Sequence, residues 1–190
     1  PVQAAPPPQA LTPKKSRAPL AVASTSTTSK ADLQALEQII ELVRAKRQSD
    51  ATQLQGSISD PLARKLSEWI ILRSEDNGAS SDRYLAFITE NPSWPSQTFF
   101  RKRGEAALWE DRRDDNTILS FFGTDQPITA KGRFALARAL LDRGDRARSE
   151  RLVREAWHED SFSSAVEDAA LSQFSAFLGG GDFKRRMDTL

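Results

Sequence analysis

Adjacent acidic residues are the groups in this chain whose type and spacing could act on a glycosidic bond. The pairs are Asp114/Asp115, Glu159/Asp160 and Glu167/Asp168. Glycoside hydrolysis uses two carboxyl groups, and one of them is held protonated in an apolar pocket so that it can act as an acid. All three pairs fall at predicted helix starts, helix ends or polar faces, where water stabilises the ionised form. Solvated or capping roles are therefore favoured, and no catalytic residue is predicted.

Composition restricts the other catalytic and metal-binding arrangements. The chain contains one histidine, His158, and no cysteine. A Ser-His-Asp triad would depend on His158 alone, and neither a multi-histidine nor a thiolate metal site can be built. Because His158 lies near a predicted helix end, we expect it to cap carbonyl groups or to meet solvent. The sequence therefore predicts no metal site and no cofactor.

A row of arginines offers positive charge instead. The row consists of Arg143, Arg146, Arg148, Arg151 and Arg154, of which the last three recur at a spacing of three along one helix side. Glu150 and Glu155 are placed to pair with them along the helix. A solvated, salt-bridged face is the favoured interpretation. The alternative is a groove wall that holds the carboxylates or phosphates of an anionic polymer, and the run Arg101-Lys102-Arg103 allows the same two interpretations.

The net charge of +1 is unevenly distributed along the 190 residues. Residues 1–30 hold four basic residues and no acid, so the remainder carries a charge of −3. A fold without net positive charge gives no support for nucleic-acid binding, which depends on clustered basic residues. No apolar run approaches the roughly 20 residues that cross a bilayer, so no transmembrane segment is predicted. The length suits one domain with a tail.

Residues 1–29 are predicted to form a disordered tail. The segment consists mainly of Pro, Ala, Ser, Thr and Gln, and it cannot bury enough apolar surface to offset the entropy lost on ordering. Pro6-Pro7-Pro8 favours extended polyproline backbone, so a proline-rich ligand for another domain is the alternative. Because the chain begins at Pro1 rather than Met, we expect an upstream segment, and a secretory signal would fit.

Helical periodicity over residues 30–190 predicts an all-α domain. Pro or Gly interrupts it roughly every 10 to 20 residues, which indicates about nine or ten short helices in antiparallel pairs, arranged as a curved, tetratricopeptide-like solenoid. The expected N-caps are Ser29, Asp60 followed by Pro61, Asp114 or Asp115, Thr129, Asp145 and Asp182. Asn77-Gly78, Gly123 and Gly144 are expected to end helices. Gly179-Gly180-Gly181 lacks the Lys-Ser/Thr of a phosphate loop and is predicted to be an inter-helix turn.

Apolar spacing also predicts which faces are buried. The expected stripes include Leu33, Leu36, Ile39, Ile40 and Val43; Leu62, Leu66, Trp69, Ile70 and Leu72; Phe99 and Phe100; Phe134, Ala135, Leu136, Ala139 and Leu140; Leu152, Val153, Ala156 and Trp157; and Phe183, Met187 and Leu190. Small residues at Ala135, Ala139 and Ala147 are expected to let two helices approach closely. Trp69, Trp94 and Trp157 are predicted to lie in the core. Trp109, followed by four charged residues, is predicted to be partly exposed.

A corner at Asn91-Pro92-Ser93-Trp94-Pro95 separates two predicted helices. Asn91 and Trp94 each precede proline, which favours extended backbone. Pro92 is expected to stop the first helix, and Pro95 is expected to lie in the first turn of the next. Trp94 is predicted to fill the wedge between the helices, and the alternative is an indole that stacks on a sugar or a base.

The corner sequence FITENPSWP also carries a family resemblance. Preceded by DPLARKLSEWIIL and followed by FFGTDQPITAKGRFALARALLDRGDRARSERLVREAW, it resembles the superhelical N-terminal domain of soluble lytic transglycosylases, over roughly Asp60 to Leu190. The similar positions are Asp60-Pro61, Trp69, Phe87, Asn91-Pro92, Trp94-Pro95, Arg103, Glu105, Phe122, Pro127, Gly132, Ala135, Ala139, Gly144, Ala147 and Trp157. All of them belong to the scaffold domain of that family.

The resemblance implies a periplasmic location and a part in cutting peptidoglycan. In this family a lysozyme-like domain carries a catalytic Glu that protonates the glycosidic oxygen between N-acetylmuramic acid and N-acetylglucosamine, and a 1,6-anhydro ring closes. That domain is expected beyond Leu190, and its Glu-Ser pair has no counterpart here. The expected partners are peptidoglycan glycan strands and other cell-wall proteins.

The sequence therefore predicts an inactive scaffold portion, residues 30–190, of an active lytic transglycosylase. The alternative is a free-standing helical-repeat adaptor that binds a peptide or a partner helix in its concave face. What the gene encodes after Leu190 separates the two hypotheses.

Overall fold

The computed structural model describes residues 28–159 and 161–189, and this part of the chain is helical without any β-strand. The all-α prediction is confirmed. The helices are α1 Lys30–Arg44, α2 Gln48–Gln55, α3 Pro61–Arg73, α4 Ser81–Glu90, α5 Gln97–Glu110, α6 Asp115–Phe122, α7 Ala130–Asp142, α8 Arg146–Glu159, α9 Ser164–Phe174 and α10 Gly180–Thr189, with a 3₁₀ turn at Ser175–Phe177. The predicted tail lies outside the described residues except for its end, where Ser29 caps α1.

Helices that are close in sequence pack against each other. The main pairs are α1 with α2, α4 with α5, and α7 with α8. Further contacts join α1 to α3, α5 and α6 to α7, and α8 to α10. Antiparallel pairing of consecutive helices follows from the short connections between them. The curvature of a solenoid stays a prediction.

Side-chain caps fix most of the helix starts. Ser29, Asp60, Ser80, Asp114, Thr129 and Asp145 each accept a hydrogen bond from the backbone N–H three residues later, at 2.7–3.3 Å. Each oxygen satisfies one of the N–H groups that a helix start leaves without an intrahelical partner. The predicted caps at Ser29, Asp60, Thr129 and Asp145 are confirmed, and Asp114 rather than Asp115 caps α6.

Three groups of buried apolar residues follow one another along the chain. The first consists of Ile39, Ala51, Ile58, Ala63 and Ile71. The second consists of Leu72, Tyr84, Phe87 and Phe100. The third is the largest and extends from Leu108 to Phe177 over α5–α9 and the 3₁₀ turn. Because Ile71 and Leu72 are neighbours in α3, this helix contributes to both the first and the second group.

Several predicted buried faces are wrong. Leu33, Leu62, Phe99, Phe183 and Met187 are exposed, and Leu62 and Met187 retain 64% and 71% of their accessible surface. In α3 the buried positions are Ala63, Ser67, Ile71 and Leu72. The short side chains of Ala63 and Ser67 allow close packing on α1 and α2, which turns Leu62 outward. In α10, Arg186 is buried in place of the apolar residues, and its guanidinium lies 3.9 Å from the Phe162 ring centroid.

The tryptophan assignments are also partly wrong. Trp157 is fully buried as predicted, but Trp109 is buried as well, with 7% exposure, while Trp69 and Trp94 are only half-buried. Trp109 is covered by α7, where the Phe134 ring lies 5.6 Å from its own. The charged residues that follow Trp109 belong to the end of α5 and the turn beyond it, and they do not share its environment.

Small residues and helix boundaries differ from prediction at a few positions. Ala147 is exposed, and Ser149 is the small residue at the α7–α8 contact, where its hydroxyl donates to the Ala137 carbonyl at 2.8 Å. Helix α3 ends at Arg73, so Gly78, at φ +64°, turns the following loop and does not cap the helix. Gly180 and Gly181 open α10 and are not a turn between helices, so Asp182, predicted as its N-cap, lies inside the first turn of α10. Gly144, at φ +84°, makes the predicted turn.

The corner between α4 and α5 is longer than expected. Helix α5 begins at Gln97, so Pro95 lies before its first turn, and the N-cap Ser96 has left-handed backbone at φ +74°. The side chain of Gln97 donates to the carbonyls of Asn91 and Trp94 at 2.8 and 2.9 Å, which ties the corner to α5. Trp94 packs edge-on against Phe87 of α4, with ring centroids 5.9 Å apart. It therefore contacts the space between α4 and α5 but is only half-buried there.

Candidate functional site

The arginine row, which begins at the C-cap of α7 and continues along α8, is largely neutralised by nearby acids. Arg143 lies 3.5 Å from Asp115, Arg148 3.6 Å from Asp145, Arg151 4.0 Å from Glu155, and Arg154 3.0 Å from Glu150. Arg146 covers the Phe177 ring at 4.6 Å. The predicted salt-bridged face is therefore confirmed. Since exposed ion pairs are worth about 0–1 kcal/mol each, an anionic ligand could displace these carboxylates at modest cost.

His158 packs against the start of α10. Its Nε2 lies 2.8 Å from Asp182 Oδ1, and the other oxygen of Asp182 accepts from the Gly179 N–H, also at 2.8 Å. This N–H bond, together with His158 and Arg154, lowers the pKa of the Asp182 carboxyl below its ordinary value of 3.8. The prediction that His158 caps carbonyls or meets solvent is wrong, because α10 folds back and supplies a carboxylate that contacts it.

The carboxylate pairs do not form a catalytic arrangement in the described part of the chain. Asp114 caps α6, and bonds from the Thr117 hydroxyl and N–H lower its pKa. Asp115 pairs with Arg143, and Glu167 lies 3.3 Å from Arg186. The side chains of Glu159 and Asp160 lie outside the described residues. No group of three or more metal-ligating side chains occurs among residues that the structure places.

Glu105, which the sequence places only among the positions that resemble the scaffold family, is a fully buried carboxylate. Its Oε1 accepts from Ile128 N at 3.0 Å and from Arg101 Nε at 3.3 Å. Its Oε2 accepts from Thr129 N at 2.9 Å and from the Thr129 hydroxyl at 2.6 Å. The carboxylate thus holds the start of α7 against α5. Because its lone pairs already accept these bonds, it is poorly placed to donate a proton to a ligand.

Gly132 completes this junction. A Cβ added there would lie 2.2 Å from Glu105 Oε2, far inside contact distance. Only glycine therefore lets α7 pass over the carboxylate. Pro127, directly before the loop residues Ile128 and Thr129 that donate to Glu105, is buried as well. A signal for the junction is present in the sequence, since Glu105 lies among the apolar positions Gly104, Ala106 and Ala107, but its partners are more than 20 residues away.

Asp32 is a second buried acid. Its side chain accepts from Ser59 N at 2.9 Å and Asp60 N at 3.2 Å, which joins α1 to the start of α3. The Ser59 N–H is the main cause that lowers the Asp32 pKa below 3.8. Asp32 lies in the first turn of α1, where its N–H donates to the N-cap Ser29, but its carboxylate faces the loop before α3.

A cleft of about 560 Å³ lies between α2, α3 and α4. Its floor contains the bidentate pair of Arg83 and Glu68, with both bonds at 2.7 Å, and Gln55 donates to the same glutamate at 2.8 Å. Arg64, Lys65 and Glu90 also line it. The lining combines charged side chains of both signs with apolar surface, as expected for an open surface that could accept peptide groups and unlike an enclosed catalytic pocket.

Comparisons with known proteins identify no relative. No family model, curated protein or solved structure matches the chain. The helices that the structure describes include none long and apolar enough to cross a membrane.

Proposed function

We propose that this chain is the non-catalytic helical scaffold portion of a periplasmic lytic transglycosylase, with a lysozyme-like catalytic domain encoded beyond Leu190. The function is then to support a glycan strand while the other domain cleaves the bond between N-acetylmuramic acid and N-acetylglucosamine. Peptidoglycan strands are the proposed partner, and other cell-wall proteins are further candidates.

The Glu105 junction is the observation that carries this proposal. The sequence positions that resemble the transglycosylase scaffold include Glu105, Pro127 and Gly132, which are spread over 28 residues of the chain. Glu105 and Gly132 meet at one point, where Glu105 accepts from Thr129, and Pro127 is buried in the loop directly before Ile128, which also donates to Glu105. Positions that belong to one packing unit support a common scaffold more strongly than scattered matches do. All-α architecture in consecutive helix pairs supports the same conclusion.

The chemistry of the acids supports an inactive portion. A general acid needs a carboxyl group that stays protonated near neutral pH in an apolar pocket. Glu105 is enclosed, but its carboxylate accepts hydrogen bonds from four donors on Arg101, Ile128 and Thr129. The pKa values of Asp32, Asp114 and Asp182 are lowered. None of these four groups is arranged as a proton donor, and exposed acids favour the ionised form.

Purified peptidoglycan sacculi provide the test. The chain should sediment with sacculi at low salt and less so as salt rises, because exposed charges are screened within about 10 Å at 0.1 M. It should release no 1,6-anhydromuropeptides. If the chain does not sediment with sacculi even at low salt, the scaffold function is contradicted. Product release that disappears when one of the chain's own Asp or Glu residues is changed would show that the chain itself is catalytic.

The second candidate is a helical-repeat adaptor, and the cleft between α2, α3 and α4 is the observation in its favour. Its polar floor of Glu68, Arg83 and Gln55 could bond to the backbone of an extended peptide. A library of unstructured peptides tested against the chain and an Arg83→Gln variant would detect this function. Tight peptide binding lost in the variant, with no retention on sacculi, would favour the adaptor over the scaffold.

A further inference from the structure

An apolar groove lies beside the corner that joins α4 and α5. It has a volume of about 350 Å³ and is lined by Leu66, Trp69, Ser93, Trp94 and Pro95, and we call it the indole groove. Leu62 lies one turn before Leu66 on α3 and is 64% exposed, so the apolar surface continues along the helix. Apolar surface of this kind, left exposed beside polar residues, commonly marks an interaction site.

The two indoles of the groove are held in place from below. Trp69 Nε1 donates to the Pro95 carbonyl at 3.1 Å, which fixes its ring against the corner. Trp94 packs on Phe87 with an interplanar angle of 86°. Both rings are half-buried, so part of each remains at the surface. Among the described residues the Trp94 indole N–H has no hydrogen-bond partner, and it can donate to a ligand.

Two positive charges lie over the indole rings of the groove, each next to one ring. The Lys65 ammonium is 5.8 Å from the Trp94 ring centroid, and the Arg73 guanidinium is 4.7 Å from that of Trp69. Within the part of the chain that the structure places, neither forms an ion pair with a carboxylate, in contrast to most of the arginine row. The groove lining itself contains no acid. A ligand with negative charge would therefore meet cations that are not already neutralised.

We propose that the indole groove is a contact site for the sugar rings of an anionic amino-sugar glycan. Indole faces carry negative charge density and attract the partly positive C–H groups of a pyranose ring. Lys65 and Arg73 complement carboxylates on lactyl or peptide substituents. Ser93 and the Trp94 N–H supply donors for hydroxyl and acetamido oxygens. The proposal rests on the scaffold function, since it assigns the part of the surface that meets the strand.

Charge favours an anionic glycan over the other possible ligands of the indole groove. A purely apolar partner helix, or the groove of a second copy, would leave Lys65 and Arg73 unmatched. The chain's own N-terminal segment carries basic residues and no acid, so it would be repelled. An acidic peptide would match the cations but would not use the flat faces of two indoles as well as a chain of sugar rings does.

The four indole N–H signals in a ¹H–¹⁵N spectrum give a direct test. Soluble peptidoglycan fragments with stem peptides should shift the signals of Trp69 and Trp94 and leave those of the buried Trp109 and Trp157 in place. A neutral N-acetylglucosamine oligomer should shift the same two signals with weaker affinity. No shift of either signal, or equal binding of an acidic peptide without sugar, would overturn the proposal. Concentration-dependent shifts without ligand would instead indicate a second copy in the groove, and would overturn it too.

Substitutions separate stacking from charge. Trp94→Ala should raise the Kd for the peptidoglycan fragments about tenfold, and Trp94→Phe should restore part of the affinity because an aromatic face remains. Arg73→Gln should weaken binding of the charged fragments and leave the neutral oligomer unaffected. Arg44→Gln, an exposed arginine paired with Glu41 on α1, is the matched control and should change nothing. Unchanged Kd values for both Trp94→Ala and Arg73→Gln, with folded protein by circular dichroism, would refute the site.

The outcomes distinguish this inference from the scaffold function. If the chain sediments with sacculi but Trp94→Ala and Arg73→Gln sediment equally well, the scaffold function stands and the groove is not the contact. If the sugar oligomer shifts Trp69 and Trp94 but sacculi are not bound, the groove binds sugar and the scaffold function is wrong.

Discussion

Replacement of Glu105 by alanine should strongly destabilise the fold. The change removes the acceptor for Ile128 N, Thr129 N and the Thr129 hydroxyl, and it leaves Arg101 without its buried partner. A buried donor without an acceptor costs about 1–3 kcal/mol, and loss of one member of a buried ion pair costs about 3–5 kcal/mol. These terms overlap, because the Thr129 hydroxyl can turn toward another acceptor and Arg101 lies 3.4 Å from Asp125. We therefore expect a loss of about 3–5 kcal/mol.

Thermal and urea unfolding followed by circular dichroism measure this effect. For a domain of this size, 1 kcal/mol corresponds to roughly 2–4 °C, so the midpoint should fall by about 6–20 °C. Glu110→Ala is the matched control, since Glu110 is an exposed residue of the same helix that pairs with Lys131, and its loss should stay below about 1 kcal/mol.

Glu105→Gln keeps the shape of the side chain but turns one acceptor into a donor. The new NH₂ group must face either Arg101 or the α7 start, so an intermediate loss is expected. If Glu105→Ala lies within about 1 kcal/mol of Glu110→Ala, the junction does not hold α7 as the bonding geometry indicates.

Three further predictions test other parts of the fold by the same unfolding measurements. Trp157→Ala should cost about 3–5 kcal/mol because the ring is fully buried, whereas Trp69→Ala should cost less; equal small losses would contradict the packing. Gly132→Ala should destabilise the chain in proportion to the clash at Glu105, and a combined change with Glu105→Ala should be less than additive; full additivity would show that the two residues do not meet. Asp32 has a folded pKa below 3.8, so its stabilising contribution is complete above that pH and is lost as the pH falls through the folded pKa; Asp32→Asn should therefore flatten part of the acid decline, and an unchanged pH profile would exclude this role.

Local signals explain what the sequence could predict. A side chain such as Asp60 or Thr129 caps the helix that immediately follows it, so three or four neighbouring residues contain the information. The same holds for the turn at Gly144, which needs a positive φ. The helical class and most helix starts could therefore be derived before any tertiary contact was known.

Long-range packing explains what could not be predicted. The environment of Trp109 depends on α7, whose Phe134 lies 25 residues further along the chain. The buried state of Glu105 depends on donors from a loop more than 20 residues away. In α3 the choice between Leu62 and Ala63 for the inner face depends on the space left by α1 and α2. Apolar periodicity predicts that a helix has a buried face, but it does not predict which residues of that face contact a particular neighbouring helix.

The pairing of helices that are close in sequence has a consequence for how the chain reaches its native state. Nearly all of the principal helix contacts join elements one or two positions apart, so the contact order is low and little loop-closure entropy opposes each docking step. Folding should be rapid for a chain of this length. The small first group of buried residues and the large third group should then close at different stages, and a helix pair near the N-terminus can dock while later segments are still being synthesised.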